Sequence, residues 1–179
     1  MTYFIIIRGP LGSGKTTVSL ALSKVIGAEV VSIDLILDRL EDDGSIRPYL
    51  EANKAAARMA LKSLARGTPV VLDESFCWKR QIEDLVTRLP YPHEVFTLKA
   101  PLTVCIERDA HRTRVYGAEA ARQVHHKIAR FDCGIPLDAT RNISLIVEEI
   151  CSHLPPDRVD ASAASQGRHG RSPHRVGHR

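Results

Sequence analysis

A chain of 179 residues, 44% of them hydrophobic, is long enough for one domain with a substantial core. Its formal charge of +4 is uneven: the stretch from Pro155 onward holds five Arg against two Asp, so the remainder is nearly neutral and an extended nucleic-acid surface is disfavoured. The four cysteines (Cys77, Cys105, Cys133, Cys151) lie far apart, which excludes metal-ligand and redox-pair spacings and fits thiols in a reducing compartment.

Residues 3–7 read as a first strand, too short and without the basic leader of a secretory signal. No run approaches membrane-spanning length, so no membrane partner and a cytoplasmic location are expected. The strand runs into Gly9-Pro10-Leu11-Gly12-Ser13-Gly14-Lys15-Thr16-Thr17, which fits G-x-x-x-x-G-K-[ST], the phosphate-binding P-loop. Glycines permit backbone angles that turn successive N–H groups toward an anion. Lys15 is expected to reach the β- and γ-phosphates and the Thr16 hydroxyl to ligate Mg²⁺. The following helix aims its positive end at the same phosphates. These features predict binding of a nucleoside triphosphate.

Val18, Ala21, Leu22, Val25 and Ile26 form one helical stripe, closed by Gly27. Residues 29–33 read as a second strand with Asp34 at its carboxyl end. A carboxylate there can take the proton of a hydroxyl attacking the γ-phosphate; the competing reading is a helix N-cap. An acidic turn at 41–44 precedes an alanine-rich helix over 48–66 that carries Asn53, Lys54 and Arg58 and ends at Gly67. Residues 69–73 are a third strand, apolar enough to be covered on both faces. Asp73 at its end has the Walker B position and is expected to hold Mg²⁺ through water. Glu74 reads equally well as a water-activating acid or a solvated loop carboxylate.

A helix with Ile82, Leu85, Val86 and Leu89 on one stripe stops at Pro90, and residues 94–99 form the fourth strand. After a helix from Pro101 to about Ala110 comes a segment bearing Arg108, Arg112 and Arg114, a candidate mobile lid that would neutralise charge on the transferring phosphoryl. A helix over 118–130 places His125 on its apolar face as a satisfied core histidine. A short fifth strand at 135–137 leads to a last helix capped by Asn142 or Thr140. Alternating strands and helices predict a three-layer α/β fold with a parallel sheet, its ligands at the carboxyl ends of the strands.

Residues 3–153 resemble the small P-loop kinases. These are adenylate-kinase-like phosphotransferases that include shikimate and gluconate kinases, chloramphenicol phosphotransferase, zeta toxins and the kinase domains of polynucleotide kinases. Gly9 to Thr17, Ser32-Ile33-Asp34, Val70 to Asp73, Leu98 to Pro101 with Cys105-Ile106-Glu107-Arg108-Asp109, and Leu137 to Thr140 carry the resemblance. It is nearest to the zeta-toxin/polynucleotide-kinase-like set of "AAA family ATPase" proteins. The resemblance implies a five-stranded sheet in the order 2-3-1-4-5, Asp34 as activator of the acceptor hydroxyl, and Arg108 and Arg112 on the phosphates or stacked on adenine. It further implies a strand-five loop, including Thr140 and Arg141, that borders the base.

The expected organisation is a kinase domain over 1–154, with a lid at about 108–118 and an acceptor-binding region at about 35–66, and a disordered basic tail over 155–179. The expected activity is ATP- and Mg²⁺-dependent phosphoryl transfer to a small-molecule hydroxyl. Asp34, Asp38, Arg39, Asn53 and Arg58 are the candidate acceptor contacts. A polynucleotide or RNA end kinase, and an ATPase or nucleotide switch without a phosphorylated product, remain alternatives. The Asp73-Glu74 pair is more ATPase-like than most kinases, and no motif after strand two names an acceptor.

Overall fold

The structure is a computed structural model that describes residues 2–40 and 45–155. The acidic turn and the basic tail from residue 156 lie outside the described residues.

Five parallel strands, β1 (Phe4–Arg8), β2 (Glu29–Ser32), β3 (Val70–Asp73), β4 (His93–Lys99) and β5 (Ile135–Asp138), form one sheet in the order β2-β3-β1-β4-β5. The order is the one expected, and the registers are continuous: Ile7 sits beside Asp73 on one side and Phe96 on the other. Both faces are covered because β1 is apolar on both. Ile5 and Ile7 pack with Val18 and Leu22 of α1 (Lys15–Ile26) and with Ile146 and Ile150 of α7 (Ile143–His153). Phe4 and Ile6 pack on the opposite face against α3 (Arg47–Ala65) and α4 (Lys79–Arg88). The period-2 alternation within one strand thus builds two separate cores. No helix among the described residues is long and apolar enough to cross a membrane.

Helix ends follow the local chemistry. Gly27 closes α1 in the left-handed conformation, its N–H returning to the Ser23 carbonyl. Of the two candidates it is Asn142 that caps α7, its side chain accepting from the Ser144 N–H at 2.9 Å. Asp34 is the first residue of the four-residue helix α2 (Asp34–Leu37), and Ile33 occupies its N-cap position. The N-cap reading of Asp34 is therefore not how the chain uses it. The two remaining helices, α5 (Leu102–Ala110) and α6 (Ala118–Ile128), flank the arginine-rich segment.

One expected acceptor contact lies in the core. Ala52, Ala56 and Ala60 let α3 approach the sheet closely, and this turns Asn53 inward. Its amide donates to the Gln81 carbonyl at 2.7 Å and to Asp84 at 3.2 Å, tying α3 to α4. Asn53→Ala should leave the Gln81 carbonyl without its buried donor and cost about 1–3 kcal/mol in urea unfolding. A stability loss with unchanged acceptor KM is the expected result; a raised KM at unchanged stability would return Asn53 to the binding site.

Candidate active site

The P-loop joins β1 to α1, and Gly12 within it is fixed by contact as well as conformation. Gly12 has φ 76°, and a β-carbon there would lie 2.1 Å from the Cys105 carbonyl oxygen. The loop thus sits directly on α5. Lys15 is buried, and its ammonium donates to the Pro10 carbonyl at 3.2 Å and the Ser75 hydroxyl at 3.4 Å. Thr16 and Thr17 are exposed at the first turn of α1, where its free N–H groups face out.

A cavity of about 360 Å³ lies over this turn. Gly12 to Val18 form its floor, Arg108 and Arg112 one side, and Ala139, Arg141, Ile143 and Ile146 the other. Arg108 donates to the Ala139 carbonyl at 2.8 Å, clamping α5 to the loop after β5. Arg141 is ion-paired with Glu149. Thr140 does not line the cavity: its N–H and hydroxyl both turn back to Asp138, at 2.9 and 2.6 Å. Local Asx-turn chemistry accounts for that threonine.

A second cavity of about 400 Å³ opens on the other side of Asp34, lined by Leu11, Asp38, Tyr49, Glu74, Arg114 and Tyr116 among others. Asp34 and Arg112 line both spaces. Arg39 and Arg58 are exposed and line neither. Of the five expected acceptor contacts, the fold brings Asp34 and Asp38 together and leaves Arg39, Asn53 and Arg58 elsewhere.

Both oxygens of the buried Asp73 carboxylate have no hydrogen-bond partner among the described residues. Such a group is costly unless something outside the chain satisfies it. Asp73 and the Thr16 hydroxyl at the loop's mouth are a donor set that suits Mg²⁺, a hard cation that takes oxygen ligands and retains waters. Asp34 has no hydrogen-bond partner among the described residues; burial pushes its carboxyl up, Lys15 opposes, and Asp73 reinforces the rise.

Glu74 is held differently. Its carboxylate accepts from the Phe76 N–H and from Gln81 Nε2. Burial, reinforced by Asp34, pushes its carboxyl from 4.5 up to about 8. Burial likewise holds the Cys77 thiol up at about 12, a neutral group in this setting. His125 rests 3.0 Å from the Ala100 carbonyl, satisfied as expected.

Arg8 was not foreseen as a functional residue. The last residue of β1 is 1% exposed and donates to the carbonyls of Phe76 (3.2 Å) and Ile128 (2.9 Å) and to the Thr97 hydroxyl (3.4 Å), with its guanidinium over the Phe131 ring. The available signal was a lone charge ending an otherwise apolar strand just before the P-loop. In the arginine-rich segment, the buried Asp109 accepts from the N–H groups of Tyr116 (3.0 Å) and Gly117 (2.8 Å). Arg112 and Arg114 flank the Tyr116 ring, and Arg114 pairs with Asp38 across the second cavity.

Glu74 also sets a pH response. Its folded-state pKa lies above its unfolded value, so the folded chain holds the extra proton and stability is lost as pH rises from about 4.5 toward about 8. Asp34 acts in the same direction. Urea melts over that range should show declining stability, with a shallower decline in Glu74→Gln; an equal slope in both would remove Glu74 as the source.

The AAA domain family matches residues 4–132. Solved structures share the fold at low identity. A gluconokinase from Sinorhizobium meliloti 1021 is 20% identical, with 91% of this chain and 96% of that one covered and a TM-score of 0.65. A sugar kinase from Janibacter sp. HTCC2649 is 20% identical, with 91% and 98% covered and a TM-score of 0.70. The tunicamycin resistance protein of Deinococcus radiodurans is 22% identical, with 87% and 100% covered and a TM-score of 0.62. A curated relative, the Lon protease of Mesomycoplasma hyopneumoniae (strain 232), matches locally at 38% identity over 66 residues; this is 36% of this chain, which spans only 8% of that relative's length. A family match across most of the chain, on a P-loop beneath a parallel sheet of this strand order, settles the assignment: the chain belongs to the AAA domain family and has the fold of the small P-loop kinases.

Proposed function

We propose that this protein is an ATP-dependent kinase that moves the γ-phosphoryl group to a hydroxyl of a small-molecule acceptor. The observation that carries this reading is the position of Asp34, a carboxylate without a hydrogen-bond partner among the described residues, in the wall shared by the P-loop cavity and the second cavity. An alcohol in the second cavity would meet a γ-phosphate in the first beside that group.

The loop N–H groups and Lys15 hold the phosphates, which requires Lys15 to leave its contacts with Pro10 and Ser75. Asp34 accepts the proton of the acceptor hydroxyl as the new O–P bond forms and the bond to the bridging oxygen of ATP breaks. Its raised pKa makes it a stronger base than an ordinary carboxylate. Arg112, facing both spaces, and Arg108 stabilise the charge on the transferring group. Thr16 and Asp73 would hold Mg²⁺, which supplies positive charge across the β- and γ-phosphates. The segment between α5 and α6, with its arginines, serves as the lid.

Two observations weigh against the competing readings. Glu74, bonded to the Phe76 N–H and mostly protonated near neutral pH, is poorly suited to activate water. Among the described residues the second cavity is lined by two arginines and no lysine, a poor track for a nucleic-acid backbone.

Asp34→Asn should retain ATP binding and lower turnover by about 10²–10⁴. Titration with a fluorescent ATP analogue and a steady-state assay separate the two effects. Unchanged turnover would remove Asp34 from the base role.

A further inference from the structure

The charges in the second cavity carry information about the acceptor. Five ionisable side chains other than the buried Cys77 and the tyrosines line it: Asp34, Asp38, Glu74, Arg112 and Arg114. No lysine or histidine is among them. Arg114 donates to Asp38 and lies 5.0 Å from the Tyr116 ring centre. Arg112 lies 3.8 Å from the buried Asp109 and also faces the P-loop cavity. Neither guanidinium is left over for a negatively charged acceptor. Asp34 and Asp38 already balance the two arginines, and Glu74 adds a third carboxyl to the same wall. An acceptor carrying a carboxylate or phosphate would bring unmatched negative charge beside Asp34 and beside the nucleotide's own phosphates, a repulsive arrangement in a partly desolvated space.

The rest of the lining is apolar or amphipathic. Leu37 and Val124 share the cavity with the rings of Tyr49 and Tyr116, surfaces on which the C–H face of a ring can lie while its hydroxyls turn to carboxyl groups. The volume of about 400 Å³ is near the small end for ligand pockets, about 300–1,000 Å³.

We propose that the phosphoryl acceptor is an uncharged polyhydroxylated molecule with one apolar face, of the class of neutral sugars, cyclic polyols and nucleosides, and that the Asp38–Arg114 pair excludes acids and phosphate esters. This rests on the kinase reading above.

The test is a set of matched pairs assayed with γ-labelled ATP: glucose with gluconate, myo-inositol with a uronic acid, and uridine with uridine monophosphate, alongside a 5′-hydroxyl oligonucleotide. The expected result is label on uncharged members, with kcat/KM exceeding that of the charged partners by about tenfold or more. Asp38→Asn, which frees Arg114, should move that ratio toward the charged member by a similar factor. Preferred labelling of the acids, the phosphate ester or the oligonucleotide overturns the acceptor class and leaves the kinase reading standing. An unmoved ratio in Asp38→Asn overturns the role of the ion pair. Label released only as inorganic phosphate, at a rate indifferent to every compound, overturns the kinase reading itself.

Discussion

Three carboxyl groups, Asp34, Asp73 and Glu74, gather near one buried ammonium, Lys15. Like charges this close cannot all ionise without compensation, and the chain treats the three differently. Glu74 gains a backbone N–H and a neighbouring amide and keeps its proton to about pH 8. Asp73 is buried with no hydrogen-bond partner among the described residues, a costly placement that an added cation would relieve. Asp34 remains at the edge, raised but reachable from two cavities. One cluster thus holds three acids in three different settings, because each has a different set of neighbours.

The same cluster explains why the strand order matters. In the sequence β2-β3-β1-β4-β5, β3 lies between β2 and β1, so the ends of β2 and β3 bring Asp34 and Asp73 to the P-loop from one side. The arginines come from the other side, carried by α5 after β4, and meet the loop where Gly12 touches Cys105. Asp34 and the guanidiniums of Arg108 and Arg112 therefore line one cavity over the P-loop without a long loop being needed to bring them together.

Much of this was legible in the sequence. The central strands β1 and β3 showed as apolar runs, because both faces of the sheet are covered there. The P-loop showed through its glycines, and Asp34 and Asp73 through their places at strand ends. What was not legible depended on tertiary orientation. In a helix with alanine on several faces, periodicity does not say which side meets a neighbour, and so Asn53 looked like a polar surface residue when it is the staple to α4. Thr140 was drawn toward the nucleotide by resemblance, while its own hydroxyl closes a turn on Asp138. Glu74 stood even between two readings because its decisive partners, the Phe76 N–H and the Gln81 amide, come from a loop and a helix that follow it.

The role of Arg8 follows from that loop. Phe76 has φ 52°, a conformation unusual for a bulky residue, which costs on the order of 1–3 kcal/mol and persists only when its surroundings hold it. Two buried side chains do so: Glu74 accepts from its N–H, and Arg8 donates to its carbonyl. The strained residue is thus held at both backbone polar atoms, and Ser75 just before it stays within 3.4 Å of the Lys15 ammonium. Arg8 itself belongs to the strand that carries the P-loop. Its remaining bonds reach β4 and the C-terminal end of α6, so the strained turn, the strand that leads into the phosphate loop and α6 are fastened by a single guanidinium. A lysine could supply the charge but not three divergent donors with a flat face for Phe131, which is why an arginine suits this place despite the burial that pulls its pKa down.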